Sequence, residues 1–175
     1  MKKDRDDLMR RIDTALHAGR ASRAVVLARR GLRLNPHDHW MMARLGDANA
    51  LQSKYSKAIA IYTKGLKLMP ACPALLWGRA RALLDLSRLR DARSAFLAIR
   101  RLGLSRILKG PCSDGRVWTR ALLSDTALRL AEIEHRSGHR AAAARWRRRF
   151  MAERKLGAKS VYSRTEISRL LEKLR

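Results

Sequence analysis

Ala24, Ala58 and Ala92 stand thirty-four residues apart, and the landmarks around them recur at the same step. Gly19, Ser53 and Ser87 keep it, as do Leu34, Leu68 and Leu102, and Leu8, Met42 and Leu76. The series Ala28, Tyr62, Phe96 and the pair Pro36, Pro70 follow the same rule. A fixed period in this range marks a solenoid of short helix pairs, each of which buries its apolar face only by stacking on a neighbour. The expected fold is all-α: a right-handed α-solenoid of antiparallel helix pairs, with three phased repeats, a degenerate fourth and a C-terminal capping helix.

The three units run over 5–38, 39–72 and 73–104. In the first, Leu8, Ile12, Ala15 and Leu16 share one helical face, and Ala24, Leu27, Ala28 and Leu32 share the next. Gly19, Ser53 and Ser87 fall where one helix must end and the chain bend back. Ala24, Ala58 and Ala92 sit where the second helix approaches the first, and Tyr62 and Phe96 fill the space one turn later. Pro36 and Pro70 cannot continue a helix and separate the units.

These residues resemble the tetratricopeptide repeat family. The second unit carries Leu45–Gly46, Ala58, Tyr62 and Pro70, and its neighbours keep Ala80, Ala92 and Phe96, or Ala24, Gly31 and Pro36. The departures are Arg11 and Arg79 at the Leu45 position, Ile12 at the small position beside it, and Asn49 where an aromatic is usual. The resemblance implies a concave groove lined by the first helix of each unit, and a peptide or protein segment bound in it. Its groove slots map to Asp6, Met9, Asp13 and Leu16, to Trp40, Ala43, Asp47 and Leu51, and to Ala74, Trp77, Arg81 and Leu84. The Lys and Asn pattern with which similar domains clamp a C-terminal carboxylate is missing from this set. Trp40 and Trp77 are the anchors expected to remove most apolar area from water, or else to pack between units.

Beyond 104 the step is lost. Residues 105–123 hold Lys109-Gly-Pro-Cys-Ser-Asp-Gly115, a cluster of turn formers that predicts a loop, with the following helix starting early near Arg116. A fourth helix pair over 124–157 is marked by Ala127, Leu130, Ala131, Gly138, Ala143 and Phe150. Within 158–175, Ser163 and Glu166 have capping-box spacing, and Ile167, Leu170, Leu171 and Leu174 form the inner face of a last helix. The whole reads as a single domain.

Forty Lys and Arg face fifteen acids, a net charge of +25, which attracts anionic partners. Arg23, Arg30 and Arg33 repeat as Lys57, Lys64 and Lys67, with Arg101 extending the last column; Arg145, Arg148 and Arg149 share a face of a later helix. These columns predict a convex basic surface, suited either to solvent or to a phosphate backbone.

Chemistry is not predicted. His135 and His139 are four apart, but a turn at Ser137–Gly138 separates them and no further ligand completes a metal site. His37 and His39 are expected as exposed turn residues, and Cys112 as a thiol in a flexible loop near Lys109 and Arg116, without a catalytic partner. Gly110 to Gly115 lacks the Gly-Lys-Ser/Thr ending of a phosphate loop. No cofactor or metal is expected, and no enzyme activity. Residues 1–11 contain no apolar run and no later stretch is long enough for a membrane span. Cys72 and Cys112 have no disulfide-framework spacing, which suits a cytoplasmic chain. The function expected is an adaptor that holds a protein or peptide, possibly acidic, in its groove; the alternative is non-specific nucleic-acid binding by the basic columns and the Arg140–Lys155 helix. Docking on an anionic membrane would need an amphipathic helix with large exposed apolar residues.

Overall fold

The computed structural model describes residues 2–174, with side chains from Asp4 onward, and all regular secondary structure among them is helical. The elements are α1 (Lys2–His17), α2 (Ala21–Leu34), α3 (His39–Leu51), α4 (Tyr55–Leu68), α5 (Pro73–Asp85), α6 (Leu89–Lys109), α7 (Gly115–Arg136), α8 (Arg140–Lys155) and α9 (Arg164–Lys173). The chain divides into two compact units, one ending at Arg88 and the other beginning at Leu89.

In the first unit each helix packs on the next in chain order from α1 to α5, as in a solenoid. α3 also touches both α1 and α5, so these three form an inner row, with α2 and α4 behind them. The apolar spacing explains the packing. Leu8, Ile12 and Ala15 of α1 meet Ala24, Leu27 and Ala28 of α2 and Met41, Leu45 and Ala48 of α3 in one buried cluster. Ala24 and Ala58 are fully buried, as the close helix approach requires, and Ala92 in the second unit is fully buried too. α3 begins at Asp38, whose carboxylate accepts from the Trp40 and Met41 amides and binds the Arg5 guanidinium at 2.6 Å. Burial alone would raise the Asp38 pKa; Arg5 and the two amides outweigh it and hold the carboxyl below its ordinary range.

The chain leaves α1, α3, α5 and α7 through a residue of positive φ: +68° at Gly19, +57° at Ser53, +58° at Ser87 and +80° at Gly138. Two of the four positions therefore hold an L-residue in the left-handed region, which costs about 1–2 kcal/mol against glycine. Ser53→Gly should raise stability by about 0.5–1 kcal/mol once glycine's own entropy loss is included, measured as an upward shift of the urea midpoint.

In the second unit α7 packs on both α6 and α8. α6 is broken at Gly103, whose φ is +67°. α7 does start early, at Gly115, and runs for 22 residues. The interruption between α6 and α7 is shorter than the sequence suggests, because Ser105 to Lys109 is helical. Cys112 is not an exposed loop thiol either: both it and Cys72 are buried.

Three polar clusters hold the second unit. Arg93 and His139 both bind the buried carboxylate of Glu134, at 2.7 and 2.8 Å. Arg100 binds Glu153 and the Leu123 carbonyl and lies over the Trp146 ring. Asp125, fully buried in α7, accepts from Ser160 Oγ and the Val161 amide, while Arg129 stacks on Tyr162 and donates to its hydroxyl. These last contacts pin the strap before α9. α9 opens on the predicted capping box, Ser163 with Glu166, but contains no fully buried residue.

Candidate partner groove

The inner row of the first unit encloses a groove of about 700 Å³. α1 contributes Asp13, Leu16 and His17; α3 contributes Arg44, Asp47, Ala50 and Leu51; α5 contributes Trp77, Gly78, Arg81, Ala82 and Asp85. The groove follows from the inner row itself, because each of these helices keeps one apolar face for the core and turns another outward.

Its floor is made by one side chain from the outer row. Tyr62 of α4 is 1% exposed, and its ring passes between α3 and α5 where each carries a glycine. A Cβ at Gly46 would overlap the ring, and one at Gly78 would lie 2.5 Å from Cε1 and Cζ. The hydroxyl emerges into the groove and donates to Asp47 Oδ1 at 2.7 Å. Arg44 bridges two helices there, with Nε 2.5 Å from Asp13 Oδ1 and Nη1 3.2 Å from Asp47 Oδ2. Loss of water at the groove floor pushes the Asp47 carboxyl up from its ordinary pKa, against Arg44, Tyr62 and Arg81. Burial, then the nearby Asp47 charge, raises the Tyr62 phenol well above its usual value, which keeps it a hydrogen-bond donor. A chain of charged and polar groups, Asp13–Arg44–Asp47–Tyr62, thus fixes one stripe of the groove. Leu16, Leu51 and Trp77 leave apolar surface beside it, Leu51 being 49% exposed.

Of the groove residues expected from sequence, Asp13, Leu16, Asp47, Leu51, Trp77 and Arg81 line this cavity. Met9, Trp40 and Leu84 do not. Met9 packs against the core cluster, Leu84 is buried, and half-buried Trp40 lies against His39 with ring centroids 5.5 Å apart. His39, placed by sequence in an exposed turn, is the half-buried first residue of α3. Tyr62, Arg44 and Gly78 are the additions that sequence reasoning does not supply.

The basic columns are all exposed: Arg23, Arg30, Arg33, Lys57, Lys64, Lys67, Arg101, Arg145, Arg148 and Arg149. Charge is sorted between the two rows of the first unit. α2 and α4 carry Arg23, Arg29, Arg30, Arg33, Lys57, Lys64 and Lys67 and no acid at all, whereas the acids lie on α1, α3 and α5 or cap them. The sorting opposes local stability. Arg29 and Arg30 each repel Arg33, and Lys64 repels Lys67, at about a few tenths of a kcal/mol per pair. Arg23 and Lys57 sit in first helical turns, where the helix dipole favours acids.

No helix among the described residues is long and apolar enough to cross a membrane. No family model matches the sequence, and no curated protein matches it significantly.

Proposed function

We propose that this chain is a non-catalytic adaptor of the tetratricopeptide type, holding a segment of another protein in the groove of its first unit. The observation that carries the reading is the groove's composition. Apolar surface from Leu16, Leu51 and Trp77 runs beside a polar stripe whose members are already bonded to one another. Such a wall is rigid before a ligand arrives, so less ordering is lost on binding. Trp77 supplies the anchor, since tryptophan removes much area from water at small entropic cost. Asp47 and Arg81 set register through polar contacts. The surface charge of the outer helices accelerates encounter with an acidic partner at low salt, while the groove itself holds Asp13, Asp47 and Asp85 against Arg44 and Arg81.

Selection of a random peptide library on the full-length chain tests this. Enriched peptides should bind with micromolar or better affinity. Trp77→Ala should weaken them at least tenfold and Leu51→Ser several-fold, with the helical circular dichroism unchanged. Peptides that bind wild type and Trp77→Ala equally would place recognition elsewhere.

A further inference from the structure

We infer that the outer helices of the first unit, α2 and α4, form a second binding surface, for the phosphate backbone of duplex nucleic acid. Seven cations stand on these two helices without one acid: Arg23, Arg29, Arg30, Arg33, Lys57, Lys64 and Lys67. All are exposed, and among the described residues none makes a hydrogen bond or ion pair. The basic helix of the second unit differs. In α8, Arg147 donates to the Leu174 carbonyl, Arg149 to Glu153 and Arg154 to the Ala158 carbonyl, so part of its charge serves the fold. On α2 and α4 none of it does.

The arrangement favours phosphates over other anions. Arg23, Arg30 and Arg33 reappear as Lys57, Lys64 and Lys67, so the same three positions are cationic on successive outer helices. On each of the two helices the first two of these cations are seven residues apart, about 10 Å along the helix axis. A repeating array of this kind meets a regular line of charge at any register. An acidic protein offers no such regularity, and protein interfaces are held by aromatic anchors that this face lacks. The only aromatics of α2 and α4 are Tyr55 and Tyr62, and both line the groove. An anionic membrane would need an apolar face to insert. In α2 that face, with Ala24, Leu27, Ala28 and Gly31, is already buried, leaving Val26 and Leu34 exposed, with Leu68 on α4.

Without aromatics to stack on bases, affinity comes from phosphates alone. The surface therefore prefers a duplex, with its higher charge per unit length, to a single strand, and is indifferent to sequence.

The test is fluorescence anisotropy of the full-length chain with a labelled 30-base-pair duplex of arbitrary sequence, DNA and RNA in parallel. Binding should weaken about a thousandfold between 50 and 200 mM salt if six contacts form. Changing Arg23, Arg30, Arg33, Lys57, Lys64 and Lys67 together to Gln should lower affinity at 50 mM salt by at least a hundredfold and flatten the salt slope by about 0.9 per lost contact. Triple variants of α2 alone and α4 alone should each give part of the loss. Trp77→Ala should leave duplex binding unchanged, which separates this surface from the groove. The inference is overturned if wild type fails to bind duplex at 50 mM salt, or if the six-fold variant keeps the affinity and slope of wild type. It also fails if phosphatidylserine vesicles or polyglutamate bind in preference to duplex.

Discussion

Gly46→Ala and Gly78→Ala should each destabilise the chain by about 3 kcal/mol, the upper range for overpacking a filled core. Elsewhere on an inner-row helix the same change would help, since alanine favours helix over glycine by about 1 kcal/mol. Here the sign reverses because the added methyl has no space. Both Cβ positions fall on the Tyr62 ring, which is rigid, fully buried and clasped from two sides. Relief requires the ring to withdraw, which breaks the hydrogen bond from its hydroxyl to Asp47 and loosens the floor of the groove. Urea denaturation of the single variants measures the cost. Tyr62→Leu combined with either glycine substitution should cost less than the two changes summed, because both act on the same space. Strict additivity would mean the glycines do not act through the ring.

Asp125→Ala should cost about 2–3 kcal/mol, because it strands the Ser160 hydroxyl and the Val161 amide without their acceptor. The strap from Ala158 to Ser163 should then become protease-sensitive and lose amide protection while α7 and α8 keep theirs. Asp125→Asn retains an acceptor oxygen and should cost under about 1 kcal/mol. The two also separate by pH. Burial raises the Asp125 carboxyl from its ordinary range, with Ser160 and Val161 opposing. A raised acid binds its proton more tightly in the folded state, so the site's penalty is fully present above the folded pKa and absent below the unfolded one. Wild type should therefore gain stability from this site as pH falls from neutral toward 4. The Asn variant should lack that component.

Much of the fold is legible in the sequence because the period repeats the same packing problem. The left-handed turns at Ser53 and Ser87 follow from their alignment with Gly19, and the buried alanines from theirs with one another. The exposure of the basic columns follows from helical spacing alone. The groove is legible only in part. Trp40 and Trp77 look equivalent as large residues on inner helices, yet they stand thirty-seven residues apart and occupy different slots. By spacing alone, Tyr62 is filler of an outer helix. Nothing local shows that its hydroxyl emerges on the far side, since that depends on Gly46 and Gly78, which are thirty-two residues apart and out of step with the period. The Asp125 strap is equally hidden: its partners lie thirty-five and thirty-six residues downstream and belong to no motif. Cys112 is misplaced by composition, because a run of turn formers says where the chain bends and not which side chain it tucks inward.

We propose that the inner row of the first unit is the surface that receives a polypeptide. Amide hydrogen exchange of the full-length chain, with and without a saturating library-selected peptide, tests it most directly. Added protection is expected at the C-terminal halves of α1 and α3 and along α5 around Trp77, with α2 and α4 unchanged. Protection confined to α2 and α4, or to the second unit, would contradict it.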